Sequence, residues 1–548
     1  MSKSRCRDLL ETGDKLFSAR SALLGHWQDI AEQFHPERAD FTTAQSFGTD
    51  FAGHLMSGYP ALQMRELSDQ LAAMLRPRQK LWAKLTASSE RIDQDTQARQ
   101  WLEAKSEVMR RAMYVRDAQF LRATKTGDKD FVAFGQAVIQ PRLRRDRAGL
   151  LFTCWHLRDT VWAENADQKI ESVHRCYKFT ARQIVQNFPK TASDEIRRAA
   201  EKEPHKEFEC RHIVIPSDQY DLEKNANKER FPYVSLYVVK EGEHVLEEVP
   251  QKRLGYVIPR WNLGALGQYA TSPATMLALP DGRLLQTMTA SLLEAGERAV
   301  TPPLIATHEV VRSDMQNYPG GVTWVDREYD ERLGEALRPI EQDLSGLQFG
   351  LKMLEDVREV LKQIFFLNKI NLPEFGKDMT AFEVQKRVEE YVRSALPLFE
   401  PMEVEYNGAL CEETFEILLE NGGFGPPENM PEILRGADVR FEFESPLQAT
   451  AGQAKAQAFM RAAEMQQIAA QLDPTTIHTI DVAKAYSDAL DGIEVPADWK
   501  RDPKEIEYRI AQAQQAQAEQ SEMAQIAQGA GVAEQVGKAA QSLTAMPK

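Results

Sequence analysis

Cysteine is scarce in this 548-residue chain, and its few copies lie far apart. An odd number of dispersed cysteines argues against a disulfide framework and against a zinc site of the CxxC type. The same pattern indicates assembly in a reducing compartment. The five are Cys6, Cys154, Cys176, Cys210 and Cys411.

Long apolar runs are also missing. No stretch approaches the roughly eighteen apolar residues of a membrane span, and the opening residues MSKSRCRDLLETGDKLF contain no apolar core of a secretory signal. The hydrophobic content of 43% and charged content of 27% are ordinary for a soluble globular protein. The chain is longer than one core usually supports, so several sub-domains are expected.

Basic residues are fewer than acidic residues, and the formal net charge is −15. Tight non-specific binding of DNA depends on neutralising its phosphates, so an acidic chain is a poor candidate for it. The charge is compatible with a protein past which DNA slides without being held.

The common catalytic motifs are absent. No phosphate-binding loop is present, since Gly531 and Gly537-Lys538-Ala539 have the wrong spacing and no hydroxyl after the lysine. The motifs HExxH, GxSxG and GxGxxG after a strand are missing too. The acidic pairs Glu389-Glu390 and Glu412-Glu413 are adjacent, so on a helix they point about 100° apart and form a poor two-metal site. The sequence predicts no catalytic residue, no cofactor and no metal, and it favours the eight tryptophans as core anchors.

The pattern of apolar residues predicts an α+β fold in which helices predominate. Residues 1–120 are mostly helical, with helices ending at His35-Pro36, covering about 53–75, and covering about 95–123. Gly127 begins a β-rich half with a short helix at 180–188. Its predicted strands are 131–139, 150–155, 160–162, 172–179, 211–216, 233–240 and 255–261.

The centre of the chain, residues 281–396, reads as helix, short β-rich insert, helix, punctuated loop, helix. Asp281 is the expected N-cap of the first helix, over 283–300 with Leu284 and Leu285 on its inward face. Strand candidates at 304–311 and 322–325 make up the insert, and Thr380-Ala-Phe-Glu383 is a capping box for the third helix.

The second central helix, residues 347–367, is unusually apolar. One stripe contains Leu347, Leu351, Leu354, Leu361 and Phe365, and a second contains Met353, Val357, Val360, Ile364 and Leu367. Together they cover an arc of roughly 200°, about twice what a helix on one core needs. The sequence therefore predicts that this helix is covered from two sides.

The C-terminal part begins with an alternating strand at 439–444. Alanine- and glutamine-rich helices are expected from 449 to about 526, with breaks near 473–474 and 495–496. The residues from about 527 lack large apolar side chains in any density, a composition typical of disordered segments.

Four stretches occur in an order that resembles a known family. They are Val257-Ile-Pro-Arg-Trp261 after the β-rich half, Leu279-Pro-Asp-Gly-Arg-Leu-Leu-Gln286 entering a helix that ends before Leu304, Met379-Thr-Ala-Phe-Glu-Val384, and Phe441-Glu-Phe-Glu-Ser-Pro-Leu447. Together they resemble the portal (head-to-tail connecting) proteins of podovirus-type short-tailed bacteriophages over nearly the full length. One departure is Gly267-Gln-Tyr-Ala-Thr-Ser-Pro273, where the family often has Gly-Arg-Gly before the proline.

The resemblance implies a non-enzymatic homo-oligomeric ring, usually of twelve subunits, at one capsid vertex. It implies partners: a terminase that pumps in double-stranded DNA, the major capsid and scaffolding proteins, and a tail adaptor, with no membrane. The location would be the virion, and the host cytoplasm during assembly. The implied parts are a wing (1–280), stem helix 1 (281–300), a clip (301–339), stem helix 2 (340–367), a tunnel loop (368–379), a long kinked helix and wing return (380–440) and a crown (441–548).

The resemblance also suggests functional residues. The DNA-channel candidates are Lys352, Arg358, Lys362, Lys369 and Lys377, and the clip docking candidates are Tyr318, Gly320, Gly321 and Trp324. Arg358 falls in the first apolar stripe, and an intersubunit salt bridge to Glu355 or Asp356 of a neighbour competes with a DNA contact. For Lys369 and Lys377 simple solvation of a loop is the alternative.

Two other functions stay open at the level of the sequence. One is a DNA-processing enzyme such as a terminase subunit or nuclease, which ATP hydrolysis or Mg²⁺-dependent DNA cleavage would support. The other is a different virion component, a tail adaptor or an internal scaffold, which would not retain packaged DNA in a capsid lacking its portal.

Overall fold

The computed structural model describes much of the chain, with gaps. The described residues are 3–43, 48, 50–78, 80–87, 92, 95–220, 230–264, 267–302, 304–306, 337–339, 345–370, 402–436, 439–443, 446–472, 480–493, 495, 506, 508–509, 511–512 and 515. The chain divides into two compact units. Unit 1 contains Met1–Trp82, Met109–Gly423 and Ser445–Leu447, and unit 2 contains Ala83–Val108, Phe424–Glu444 and Gln448–Lys548.

Both helices and strands are present, as the sequence predicts. The described helices are α1 (Lys3–Ala19), α2 (Ser21–Phe34), α3 (Tyr59–Leu75), α4 (Thr96–Tyr114), α5 (Phe120–Phe134), α6 (Ala181–Asn187), α7 (Asp194–Lys202), α8 (Pro273–Val300), α9 (Ser345–Ile364), α10 (Leu367–Ile370), α11 (Ala409–Glu420), α12 (Pro446–Leu472) and α13 (Val482–Gly492). A π-helical turn, Glu403–Gly408, leads into α11.

The described strands are short. They are β1 (Ala83–Ala87), β2 (Val138–Leu143), β3 (Leu150–Trp155), β4 (Thr160–Glu164), β5 (Ile170–Thr180), β6 (Glu207–Pro216), β7 (Tyr233–Val239), β8 (His244–Gln251), β9 (Asn262–Leu263), β10 (Ala270–Thr271), β11 (Leu304–Ala306), β12 (Leu337–Pro339) and β13 (Val439–Phe443).

An antiparallel sheet of five strands in sequence order, β4 to β8, is the β-rich part of unit 1. Because side chains alternate along a strand, each strand supplies two faces. Ile213 and Ile215 of β6 pack with Leu10 of α1 on one face. Phe208 and Cys210 of the same strand pack with α6 and α7 on the other. The sheet therefore separates two hydrophobic cores.

The predicted strand at 131–139 is wrong in its first half. Residues 131–134 form the last turn of α5, and only Val138 begins a strand. All four side chains of that turn are buried, so the run shows no helical alternation of apolar and polar residues. Gly135 then ends the helix with φ +77°, and a Cβ there would collide with the backbone of Thr271.

Two helix predictions in the N-terminal part also need correction. The helix expected over 95–123 ends at Tyr114, and after a short 3₁₀ turn Gln119, with φ +54°, precedes α5. The helix expected from about residue 53 begins at Tyr59, and its Leu62 is exposed.

The first central helix begins earlier than predicted. Ser272, not Asp281, is the N-cap of α8, and its hydroxyl accepts a hydrogen bond from the Thr275 amide. Pro280 lies inside the helix and removes the partner of the Met276 carbonyl, a cost that water can offset because Met276 is exposed.

Other predictions are confirmed or corrected in detail. The helix predicted to 367 ends at Ile364, because Phe366 has φ +58°. Residues 255–261 make isolated bridges, Val257 with Ile139 and Arg260 with Gln136, rather than a strand.

Two elements, helix α7 and strand β8, were not predicted from the sequence. Trp27, Trp82 and Trp162 are core residues as expected, and all five cysteines are free thiols.

Unit 2 contains a two-stranded antiparallel sheet of β1 and β13, with Leu85 opposite Phe441. The Leu85 amide donates to Ser106 Oγ of α4 at 2.8 Å. The alanine-rich helix α12 contacts α13 through Phe459 and Tyr486, whose ring centroids lie 5.8 Å apart. The strand at 439–443 and the end of α12 at Leu472 agree with prediction. Residues 473–479, 494 and 496–505 and the segment from 527 lie outside the described residues.

Candidate functional site: the α8–α9 helix pair

Helices α8 and α9 pack side by side. The seam is close, since a Cβ placed on Gly350 of α9 would lie 2.9 Å from Cδ2 of Leu292 on α8. Beyond the ends of these helices, β11 and β12 pair antiparallel, with Ile305 opposite Arg338. The ribbon therefore pairs the chain segment that follows α8 with the segment that precedes α9.

Aromatic packing anchors the pair in unit 1. Phe365, just after α9, contacts Phe34 of α2 with ring centroids 5.6 Å apart. Gly282 of α8 leaves space for the same ring, because a Cβ there would lie 3.2 Å from Phe34 Cζ. Leu285 and Leu361 are fully buried alongside. Past Leu285, no residue of α8 is buried.

Polar contacts fix the base of α8. Gln286 Oε1 accepts from the amides of Met56 and Ser57 at 2.8 Å each, and its Nε2 donates to the Ser57 carbonyl at 2.8 Å. Thr275 Oγ1 donates to the Ala133 carbonyl at 2.7 Å. Gln286 thus holds the loop before α3 against α8. No pattern in the sequence predicted this contact.

Arg358 contacts its own chain. Its guanidinium carbon lies 5.4 Å from the ring centroid of Tyr59, and the Tyr59 hydroxyl donates to the Arg358 carbonyl at 3.2 Å. A cation over an aromatic face is stabilised without a carboxylate partner. This explains how an arginine fits within the first apolar stripe, and contact with DNA or a neighbour stays a prediction.

The other channel candidates divide into described and undescribed residues. Lys352 and Lys362 are exposed on the polar face of α9, and Lys362 Nζ lies 3.9 Å from a carboxylate oxygen of Glu359. Lys369 belongs to α10. Lys377 and the docking candidates Tyr318, Gly320, Gly321 and Trp324 lie outside the described residues.

Two apolar strips on the pair are exposed. On α9 the strip consists of Phe349, Met353 and Val360, with Phe349 68% exposed. On α8 it consists of Met276, Leu277 and Leu284, with Leu277 62% exposed. Leu284 and, on α9, Leu351 were expected to face inward and instead face solvent. Exposed apolar side chains grouped on one side of a helix are typical of interaction sites.

The described part of the chain contains no cluster of three or more side chains that could hold a metal ion. Among the described helices, none is long and apolar enough to cross a membrane.

Comparison with known proteins gives relatives along most of the chain. A protein of Bordetella phage BPP-1 named "Probable portal protein" is 25% identical over 448 residues, covering 80% of this chain and 78% of that protein. The "Portal protein" of Salmonella phage epsilon15 is 22% identical over 543 residues, covering 94% and 93%.

Among solved structures, a chain of a "Virion of native gene transfer agent (GTA) particle" is 9% identical and covers 74% of this chain and 86% of that one, with a TM-score of 0.36. A superposition at that level is too loose for comparing residues. The family model described as bacteriophage head to tail connecting protein, in contrast, matches residues 7–499, and the chain belongs to that family.

Proposed function

We propose that this chain is the portal subunit of a short-tailed phage, a structural protein that joins the capsid to the tail. The support is a family match from residue 7 to 499 and relatives named portal protein that align over 80% and 94% of the chain. In this assignment α8 and α9 are the stem, residues 301–339 the clip, 368–379 the tunnel loop, and 441–548 the crown.

The observation that carries the assembly step is the pair of exposed apolar strips on α8 and α9. The strips lie on different helices and consist of different residues, so one copy can place its α9 strip on the α8 strip of the next. Such a heterologous contact, repeated by rotation, closes into a ring. The single chain leaves the second apolar stripe of α9 partly exposed. In the ring, the neighbouring subunit would cover this stripe, which agrees with the two-sided packing that the sequence predicts.

A ring of this kind provides a conduit for double-stranded DNA. The 20 residues of α9 make a wall about 30 Å long. Lys352 and Lys362 on its polar face, spaced among Glu355 and Glu359, are suited to transient contacts with phosphates. The remaining channel candidates, Arg358, Lys369 and Lys377, are proposed on sequence alone.

The partners are a terminase during packaging, the capsid and scaffolding proteins at the vertex, and a tail adaptor afterwards. The clip residues Tyr318, Gly320, Gly321 and Trp324 are proposed to meet terminase and adaptor. Replacing Gly320 and Gly321 with bulkier residues is expected to impair docking more than ring formation. Normal docking by a variant that fails to form rings would refute that assignment.

Native mass spectrometry tests the assembly directly. The wild-type chain is expected as a ring whose mass is a multiple of 62.1 kDa. Met353→Glu is expected to yield subunits, because it places a charge in the apolar contact. Lys352→Glu, one residue away on the polar face, is the matched control and is expected to form rings. Both side chains are exposed in the single chain, so neither substitution removes a buried contact within the subunit.

A stable wild-type monomer at every salt concentration would contradict the proposal. Rings formed equally well by both variants would move the subunit interface away from the α9 strip.

A further inference from the structure

A solvent-open cavity lies in unit 1, outside the α8–α9 pair. It lies between the first turns of α5, the 3₁₀ turn Pro36–Arg38 and the strand β3, and has a volume of about 580 Å³. Binding pockets for small molecules and short peptide segments are of this size. Its lining residues are His35, Glu37, Arg38, Gln119, Arg122, Ala123, Lys125, Thr126, Lys129, Phe152, Thr153 and Cys154.

The lining has the opposite charge to the chain. Four of its side chains are cationic and one is a carboxylate, whereas the whole chain has a net charge of −15. On an acidic protein, a concave surface lined mainly by positive side chains concentrates anions locally. The cavity therefore differs in kind from the surrounding surface.

The floor and the rim of the cavity use their cations differently. At the floor, Arg38 forms a two-point ion pair with buried Asp130, at 2.9 and 3.1 Å, and is satisfied within the chain. At the rim, Lys125 and Arg122 project outward; Lys125 lies 3.6 Å from Asp69, and within the described part of the chain no carboxylate pairs with Arg122. Arg122 is thus available to an external anion, and Lys125 can exchange its exposed partner Asp69 for one.

Glu37 shows which anion the rim accepts. Its side chain is 73% exposed, yet its carboxylate accepts a hydrogen bond from Lys129 Nζ at 2.9 Å. That hydrogen bond lowers the pKa of Glu37, against the opposing effect of burial. A carboxylate of the chain itself therefore already occupies one cationic position, and it sits on a flexible side chain that an incoming carboxylate can replace.

We propose that this cavity binds an acidic peptide segment of another protein. Its carboxylates would pair with Arg122, Lys125 and Lys129. Duplex DNA is a stiff rod with phosphates on its convex surface, so it cannot place several of them inside one cavity. This inference does not depend on ring formation.

Fluorescence anisotropy with a labelled hexaglutamate peptide tests the proposal on the full-length protein at low and at physiological salt. Arg122→Glu is expected to weaken binding by about fivefold or more, and Glu37→Gln to tighten it about threefold, because the competing internal carboxylate is removed. Arg198→Glu, an exposed arginine of α7 outside the cavity, is the control and should leave the affinity unchanged. Hexaglutamine is the uncharged control peptide.

Arg198→Glu changes the net charge as much as Arg122→Glu does, so an unchanged affinity in that control separates binding in the cavity from general attraction. A gain in affinity for Glu37→Gln excludes misfolding as the cause of the effects. No binding of hexaglutamate, equal affinities in all variants, or selective binding of a 20-base-pair duplex would overturn the proposal. Native mass spectra of the same samples record the assembly state, so peptide binding by a monomer would refute the ring and leave the cavity assignment intact.

Discussion

Asp130 shows how a single buried carboxylate is kept ionised. Its side chain is only 1% exposed, and burial alone raises the pKa of such a group. The positive charge of Arg38 and a hydrogen bond from His35, whose Nε2 lies 3.4 Å from Oδ1, outweigh burial and hold the pKa at about 2. Asp130 therefore stabilises α2 and the 3₁₀ turn against α5.

Asp130→Asn is expected to reduce the free energy of unfolding by about 3–5 kcal/mol at pH 7, because Arg38 loses its ionised partner. The folded pKa lies below the unfolded value of about 3.9, so the stabilisation is present at neutral pH and is lost as the pH falls from about 4 towards 2. Urea denaturation across this range measures it. Asp69→Asn, at an exposed site, is the control; an unchanged acid dependence in Asp130→Asn would contradict the assignment.

Glu413 has the opposite behaviour. Burial raises its pKa to about 7, since the Arg253 charge and the Gly255 amide compensate only in part. Arg253 is shared, with its Nη2 2.8 Å from Glu416. Because the folded pKa is above the unfolded one, stability falls as the pH rises from about 4.5 to 7 and is level above that.

Glu413→Gln is accordingly expected to stabilise the fold by about 1–2 kcal/mol at pH 8 and by little at pH 5, since it removes a charge that folding desolvates. Thermal unfolding at the two pH values measures the difference. Glu412→Gln, on the exposed neighbouring side chain, provides the comparison. An equal effect of Glu413→Gln at both pH values would be inconsistent with titration of this group.

At the scale of elements, α8 uses its glycines in two ways. Gly282 gives Phe34 room, whereas a Cβ at Gly296 meets nothing within 4 Å. Glycine in a helix interior costs about 1 kcal/mol relative to alanine. Gly282 therefore allows close packing against Phe34, whereas Gly296 only weakens the helix.

Gly296→Ala is expected to raise the free energy of unfolding by about 0.5–1 kcal/mol. Gly282→Leu is expected to lower it by about 1–3 kcal/mol, because the side chain forces Phe34 and Phe365 apart. Chemical denaturation measures both variants. Gly282→Leu as stable as the wild type would mean that α8 does not pack on Phe34 in solution.

Helix α9 and helix α5 illustrate what periodicity can predict. The apolar stripes of α9 alternate with charged residues, so its helical type and its buried Leu354, Leu361 and Phe365 were predictable. The end of α5 is surrounded on all sides by core, so Phe131 and Val132 carry no periodic signal and resembled a strand.

The start of α8 was predicted wrongly because Asp281 and Ser272 are both plausible caps, and only tertiary contacts of residues 273–280 decide between them.

For the whole molecule, the net charge of −15 sets the expected interaction with DNA. Rings of the chain are expected to bind a 30-base-pair duplex no more tightly than about 10⁻⁵ M at physiological salt, within the range of non-specific binding. Anisotropy against salt concentration measures this. Affinity in the nanomolar range would contradict a conduit through which DNA slides.

The sequence by itself determined the mixed helical and strand composition, the order of elements that carries the family resemblance, the absence of common catalytic motifs, and the excess apolar arc of α9. These features depend on local periodicity and on residue type. Only the tertiary structure decided that Arg358 lies on Tyr59, that Gln286 fixes the loop before α3, and that the cavity beside Arg122 collects cations from separate parts of the chain. Contacts between residues hundreds of positions apart leave no periodic trace, because they depend on how the elements pack rather than on how each one forms.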